Sequence, residues 1–251
     1  MRFGVNVSSI MSSDLSGPEE FDYALRMVRA ARDNGFDGIF AAHHYATGSS
    51  RQMFQPIPWL ARMAAEAPGM TFGTTVYLLS LHSPVEAAEQ AANLDIMTGG
   101  KFIFGVGQGY RDAEYQSFGI PKATRTRRLV EGVQVVRRLW AEEEVTWEGE
   151  FFTLRGVTIN PKPVQRPGPP IWVGADTPSG VARAAEVGDA WLTSPRQSKE
   201  FIRSSLAVYR RRRQELDLPA NPVPIFREMH VQPRREDAEA EIMGALERLY
   251  Q

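Results

Sequence analysis

Phe72-Gly73-Thr74-Thr75-Val76-Tyr77-Leu78-Leu79, followed by Ser83-Pro84-Val85-Glu86, Gly99-Gly100 and Phe102-Ile103-Phe104-Gly105-Val106, is the stretch that decides the fold. Its first and last runs are short, apolar and rich in β-branched and aromatic residues, and they read as buried strands. Between them, Ser83 with Glu86 three residues on has the form of a capping box, and Pro84 takes the first helical position. The helix opened there is expected to bury Val85, Ala88, Ala92 and Ile96 and to stop at Gly99-Gly100. Strand, helix, strand in this spacing points to a parallel sheet covered by helices.

The same rhythm extends outward in both directions. Arg2 to Ser8 reads as a first strand and Gly38 to Ala42 as a second. The helix between them carries Pro18, Glu19 and Glu20 at its start and Gly35 at its stop. Beyond Val106, Leu129, Val133, Val136 and Trp140 mark an amphipathic helix, Ile171 to Gly174 a fifth strand, Ala190 to Thr193 a sixth and Val223 to Val231 a seventh. A last helix carries Ala238, Ile242, Ala245 and Leu249. Residues 145–154 break the alternation: Val145-Thr146-Trp147 and Phe151-Phe152-Thr153 flank Glu148-Gly149-Glu150 as an inserted hairpin. The proline-rich run Pro161 to Pro170 is read as a rigid connection within one unit, because the βα rhythm resumes at once. The expectation is an α/β chain of a single domain, residues 1–251, forming a TIM-type (β/α)8 barrel with an inserted hairpin. Such a barrel needs eight parallel strands, so a final strand and helix are expected to be absent from this sequence.

Lys plus Arg number 29 and Asp plus Glu 30, a formal net charge of −1, which disfavours a nucleic-acid-binding surface. The Arg210–Arg213 run falls in a helix with Phe201, Leu206, Val208 and Tyr209, and a solvated face is expected for it. Cysteine is absent, removing disulfides, thiolate nucleophiles and cysteine-bound metal. Neither a signal peptide nor an apolar run near the roughly 18 residues of a membrane span is seen, so a cytoplasmic protein without membrane contact is expected.

In a barrel, chemistry sits on loops after the carboxyl ends of strands. Those positions hold His43 and His44, the Thr74–Ser80 segment, Gly107 to Tyr110, and Gly174 to Gly180. Adjacent histidines on a β-segment face opposite ways, and with only His82 and His230 besides, no metal-ligand spacing forms. An imidazole at a strand end suits acid–base work, and it suits a structural role equally well. Gly105-Val106-Gly107-Gln108-Gly109 fails as a dinucleotide fingerprint, since Tyr110 stands where the third glycine belongs. Its glycines either let backbone approach a planar ligand or make a tight turn. Gly174-Ala175-Asp176-Thr177-Pro178-Ser179-Gly180 can cradle phosphate at a helix start or simply cap that helix. Arg127 can offer a guanidinium fork to phosphate or lie on the surface.

Together and in order, these features resemble a known family. Gly35-Phe36-Asp37-Gly38-Ile39-Phe40 with His43-His44-Tyr45, Leu94 to Phe102, Phe104-Gly105-Val106-Gly107, Arg128-Leu129-Val130-Glu131-Gly132, Pro161-Lys162-Pro163-Val164-Gln165, Pro169 to Gly174 and Gly188-Asp189-Ala190-Trp191 are similar to bacterial luciferase-like flavin monooxygenases. The resemblance implies reduced FMN, delivered by a separate flavin reductase, reacting with O2 at the barrel mouth to oxygenate a small organic substrate. It also admits deazaflavin (F420) hydride transfer on the same barrel, or flavin binding without catalysis. By position it implies His44 as the catalytic acid–base group, and Thr75, Val76, Gln108, Arg127, Gly174, Ala175, Thr177 and Ser179 as cofactor-binding, with a non-proline cis peptide at Thr75-Val76. Arg127 and Thr177–Ser179 are the implied phosphate holders. Phe40, Tyr77, Tyr110 and Trp172 would shape an apolar site, and the loops Ser8–Gly17 and Ala46–Pro56 would contact substrate. A homodimer through barrel helices is implied as well. Gly107 stands where luciferase has a reactive cysteine and Gln108 where it has arginine, so light emission is not expected.

Overall fold

In the computed structural model, which describes residues 1–7, 15–48 and 53–250, short strands alternate with longer helices. β1 (Gly4–Asn6), α1 (Gly17–Asp33), β2 (Gly38–Ala41), α2 (Pro56–Glu66), β3 (Thr71–Thr74), α3 (Pro84–Met97), β4 (Phe102–Val106), α4 (Asp112–Ser117) and α5 (Arg125–Ala141) come first. They are followed by β5 (Val145–Glu148), β6 (Thr153–Val157), β7 (Ile171–Gly174), α6 (Pro178–Val187), β8 (Ala190–Leu192), α7 (Lys199–Glu215) and α8 (Arg235–Tyr250). Six strands form one parallel sheet in the order β1-β2-β3-β4-β7-β8, and β5 and β6 make the separate antiparallel hairpin. This is the TIM-type α/β architecture, with strands in sequence order and helices outside.

The strands are buried on both faces, as parallel strands must be. Ile39, Phe72, Phe102, Phe104, Ile171 and Trp191 are all fully buried. On α3 the packed face is made of Ala87, Ala88, Ala91 and Ala92, whose small side chains let α5 come close enough for Trp140 Nε1 to donate to Ala88 O at 3.0 Å. Phe40 lies across the barrel floor, stacked on Trp172 with ring centroids 5.7 Å apart. A Cβ at Gly4 would stand 2.4 Å from that ring and one at Gly73 2.8 Å, so glycine at both positions makes its room. The proline-rich connection is pinned to the helices: Lys162 Nζ donates to Leu139 O and Glu142 O, and Gln165 donates to the buried Asp95 carboxylate at 2.6 and 2.8 Å.

Several expectations need correction. Val223 to Val231 forms no strand. Pro222 and Pro224 have no N–H to give a ladder, and the segment is held to β8 by Thr193 N to Pro224 O at 3.3 Å and Phe226 N to Thr193 Oγ1 at 2.8 Å. The third strand ends at Thr74; the cis Thr75–Val76 peptide follows, and a short 3₁₀ turn takes over at Leu79–Leu81. Ser83 caps α3 through Val85 N, but Glu86 accepts from Gln90 instead of closing the box. The complete box belongs to α1, between Ser16 and Glu19. Ile96 is 39% exposed, because α3 turns Leu94 and Asp95 inward instead. The arginine run is not one solvated face: Arg213 is 3% exposed and donates to Ala185 O, Gly188 O and Pro219 O. Carbonyls at the carboxyl end of α6 satisfy the buried guanidinium.

Candidate active site

The carboxyl ends of β1, β2, β3, β4 and β7 converge on one mouth. The β2 strand ends at Ala41 and delivers two histidines within three residues, and the structure gives them different surroundings. His44 Nδ1 lies 2.7 Å from Glu114 Oε1, on a ring 22% exposed beside a carboxylate with no exposure at all. Glu114 comes from the short α4, after the loop that follows β4. The same Oε1 accepts the Tyr45 N–H at 3.1 Å, and Arg111 stands 3.8 Å away while donating to Tyr45 O and Ala46 O. When the ring is neutral, a carboxylate so held accepts the Nδ1 proton and leaves the lone pair on Nε2. Among the described residues nothing bonds His44 Nε2, and Glu114 Oε2 is buried without a partner. The His44 and Tyr110 rings meet in a T-shaped contact, at a centroid distance of 5.6 Å.

His43 faces the other way. Leu78 N donates to its Nδ1 at 3.2 Å, so the ring proton sits on Nε2 and is donated to Gln55 Oε1 at 2.6 Å. Burial pushes its pKa down to about 3, with His82 adding to the effect. Stacked between Tyr45, Tyr77 and His82, it is a neutral ring on the wall of a cleft of about 380 Å³ between α2 and α3. Tyr77 belongs to this packing and not to the mouth.

At the centre of the mouth, Asn6 Nδ2 donates to Thr75 Oγ1 at 2.7 Å. Val76, after the cis bond, sinks its side chain into the space left by two glycines: a Cβ at Gly107 would stand 2.5 Å from Val76 Cγ2, and one at Gly174 2.9 Å from Cγ1. These glycines therefore accommodate Val76. The 107–110 loop is fixed by two hydroxyls, since Ser80 Oγ (2.8 Å) and Tyr115 OH both bond Gln108 O. The Gln108 side chain accepts from Thr126 Oγ1 at 2.6 Å.

The implied phosphate side is built differently. Arg127 is exposed, paired with Glu150 of the hairpin, and lies over the Phe151 ring. It lines an open groove of about 410 Å³ with Thr126, Trp147, Glu150 and Arg183. Thr177 and Ser179 are not in that lining. Thr177 Oγ1 caps α6 by accepting Gly180 N at 3.1 Å, and Ser179 Oγ lies 3.4 Å from it. Ala175 O is taken by Trp191 Nε1 and Gln197 Nε2. Glu131, buried in α5, holds the hairpin turn by accepting Trp147 Nε1, Phe151 N and Phe152 N.

The structure thus brings His44, Thr75 and Val76 to one mouth, with Gln108 on the loop beside them and Arg127 in a separate groove. It adds Glu114, which sequence reading did not single out. Its only signal was a carboxylate seven residues after Gly107 in the loop-to-helix segment of the next βα unit. No cluster of three or more metal-ligating side chains exists among the described residues, and no helix there is long and apolar enough to cross a membrane. Residues 8–14 and 49–52 of the two substrate-contact loops lie outside the described residues.

With this geometry in view, comparison with known proteins places the chain. The family model for luciferase-like monooxygenases matches residues 1–250, and the chain belongs to that family. It is 29% identical over 213 residues to an F420-dependent glucose-6-phosphate dehydrogenase of Microbacterium testaceum, covering 82% of this chain and 60% of that protein. It is 28% identical over 177 residues to the FMNH2-dependent dimethylsulfone monooxygenase of Pseudomonas putida, covering 69% and 45%. The crystal structure of monooxygenase RslO1 from Streptomyces bottropensis superposes with a TM-score of 0.88 at 28% identity, over 99% of this chain and 77% of that one. The chain therefore spans roughly half to three-fifths of the length of these two curated relatives.

Proposed function

We propose that this chain is an oxidoreductase that uses reduced FMN and O2 to oxygenate a small organic substrate. The observation that carries a catalytic reading is the His44–Glu114 pair, an imidazole whose Nδ1 is anchored to a fully buried carboxylate while Nε2 has no partner among the described residues. When bound, reduced FMN supplies the two electrons that activate O2, and the protein supplies binding, orientation and proton handling. The mouth fits a flat ring: Val76 offers an apolar surface pressed into Gly107 and Gly174, beside the Asn6–Thr75 amide and hydroxyl. Thr75, Val76, Gln108, Gly174 and Ala175 would lie along it. Arg127, Thr177 and Ser179 would take the phosphate, after Arg127 exchanges Glu150 for it. His44 Nε2 would accept or return a proton at the reacting atoms, Glu114 holding the ring and stabilising its charged form.

That same lone pair favours a second reading. A base at Nε2 is suited to removing a hydroxyl proton while F420 accepts hydride, and the similarity to F420-dependent glucose-6-phosphate dehydrogenases supports it. A third reading, flavin binding without catalysis, gives the pair no task. Incubating the protein separately with FMNH2, from a flavin reductase, and with F420 or F420H2 separates the three. Substrate oxygenation with oxygen uptake dependent on FMNH2 is expected. Turnover only with the deazaflavin moves the assignment to the second reading, and tight flavin binding with no turnover in either case moves it to the third. Assembly as a homodimer is part of the proposal and is read from the molar mass in light scattering.

A further inference from the structure

The two histidines are consecutive, yet the buried one is tied back to the other through a third side chain. His43 Nε2–H donates to Gln55 Oε1 at 2.6 Å, and Gln55 Nε2 donates to His44 O at 3.3 Å. Because Leu78 N–H occupies His43 Nδ1, the His43 tautomer is set, and that in turn sets which way round the Gln55 amide lies. The next peptide completes the arrangement. His44 C=O and Tyr45 N–H belong to one planar unit. Its carbonyl is held by Gln55, and its N–H by the Glu114 oxygen that also holds His44 Nδ1.

We propose that Gln55 and His43 are positioning residues, forming a brace that locks the His44–Tyr45 peptide plane and thereby aims the His44 ring at Glu114. Gln55 is the N-terminal cap residue of α2, and His43 is anchored to Leu78 in the segment that follows β3, so the brace joins two βα units behind one imidazole. Neither side chain is at the mouth: both line the side cleft between α2 and α3. Rotation of the plane is opposed at both ends, and releasing the carbonyl frees the plane to tilt the Tyr45 N–H away from Glu114. The inference builds on the proton-handling role given to His44, but its geometry is independent of which cofactor binds.

The test needs no substrate. Amide hydrogen exchange of Tyr45 and the ring nitrogen shifts of His44 are measured by NMR in the parent and in Gln55→Leu, with the melting temperature followed alongside. The parent is expected to show a protected Tyr45 amide and a single His44 tautomer protonated on Nδ1. Gln55→Leu is expected to lower Tyr45 protection about tenfold, the loss of one hydrogen bond of ordinary net strength, and to mix the His44 tautomers. Gln55→Glu adds a signature that packing alone would not give. Protonated, its carboxyl can donate to His44 O and restore protection; ionised, it cannot, so protection recovers as pH falls. If Gln55→Leu fails to fold, His43→Phe keeps the ring stacking and is expected to move the same two signals. Unchanged Tyr45 exchange and an unchanged His44 tautomer in a folded variant overturn the brace. They leave the functional reading standing, whereas absence of any flavin-dependent turnover would overturn that reading and leave the brace intact.

Discussion

The barrel mouth and the Arg127 groove are organised on opposite principles. On the β2–β3–β4 side, His44, Thr75, Val76 and Glu114 are set by part-buried hydrogen bonds and close packing, and few of them have room to move. On the hairpin and α6 side, Arg127 and Glu150 are 59% and 50% exposed and satisfy each other, and Thr177 is used as a helix cap. The first side has bought its geometry before any ligand arrives, which is what proton transfer needs. The second must trade existing partners for a ligand, which costs little when those partners are solvated.

The contrast can be broken where the effects are largest. His44→Ala should lower turnover by about 10²–10⁴-fold with the fold retained, the usual contribution of a placed acid–base group. Glu114→Gln should give a smaller loss in the same direction. A His44→Ala protein with full turnover removes the ring from the chemistry. Gly107→Ala should destabilise by about 1–3 kcal/mol in urea denaturation, because its Cβ would meet Val76 Cγ2 and force a shift in a packed site. An unchanged midpoint would mean that Val76 is not seated between the glycines.

A pH series tests the buried side in another way. His43 has a folded pKa lowered to about 3 by burial, against about 6.5 when unfolded. Between these values the unfolded chain binds the extra proton, so stability is full above about pH 6.5 and falls as pH drops toward 3. Roughly 2 kcal/mol should be lost from pH 7 to pH 5, and the slope should flatten in His43→Phe when both are followed by urea unfolding. The smallest effect belongs to the exposed side. Arg127→Ala should change stability by less than about 1 kcal/mol, yet weaken FMN binding several-fold more than riboflavin binding in fluorescence titrations. Equal weakening of both would take Arg127 out of the phosphate site.

How far the sequence carried this picture depended on whether a residue's task was local. The helix α5 was legible because Leu129, Val133, Val136 and Trp140 repeat at 3.6 residues, and all four are buried. The existence of the hairpin was legible, but its second strand runs over Thr153–Val157 and Phe151 and Phe152 lie in the turn, where Glu131 takes their N–H groups. The Val223–Val231 segment misled, because its apolar residues read as a strand while its prolines removed the ladder. Arg213 misled because a basic run looks solvated, and only tertiary contact with the end of α6 buries one member. In the site, the place after a strand offered His43 and His44 alike, and only the family resemblance singled out His44. Which of the two histidines turns toward a carboxylate depends on Glu114, 70 positions along the chain, and on Gln55. Such long-range pairings leave no periodic trace.

Phe40 carries a consequence of a different kind. Its ring occupies the volume that side chains at residues 4, 38 and 73 would otherwise fill, and Trp172 closes the stack. Residues 4, 40 and 73 are therefore linked: a lineage that shrinks residue 40 gains room at the other two, whereas a Cβ at residue 38 would still meet the Thr71 backbone oxygen at 2.9 Å.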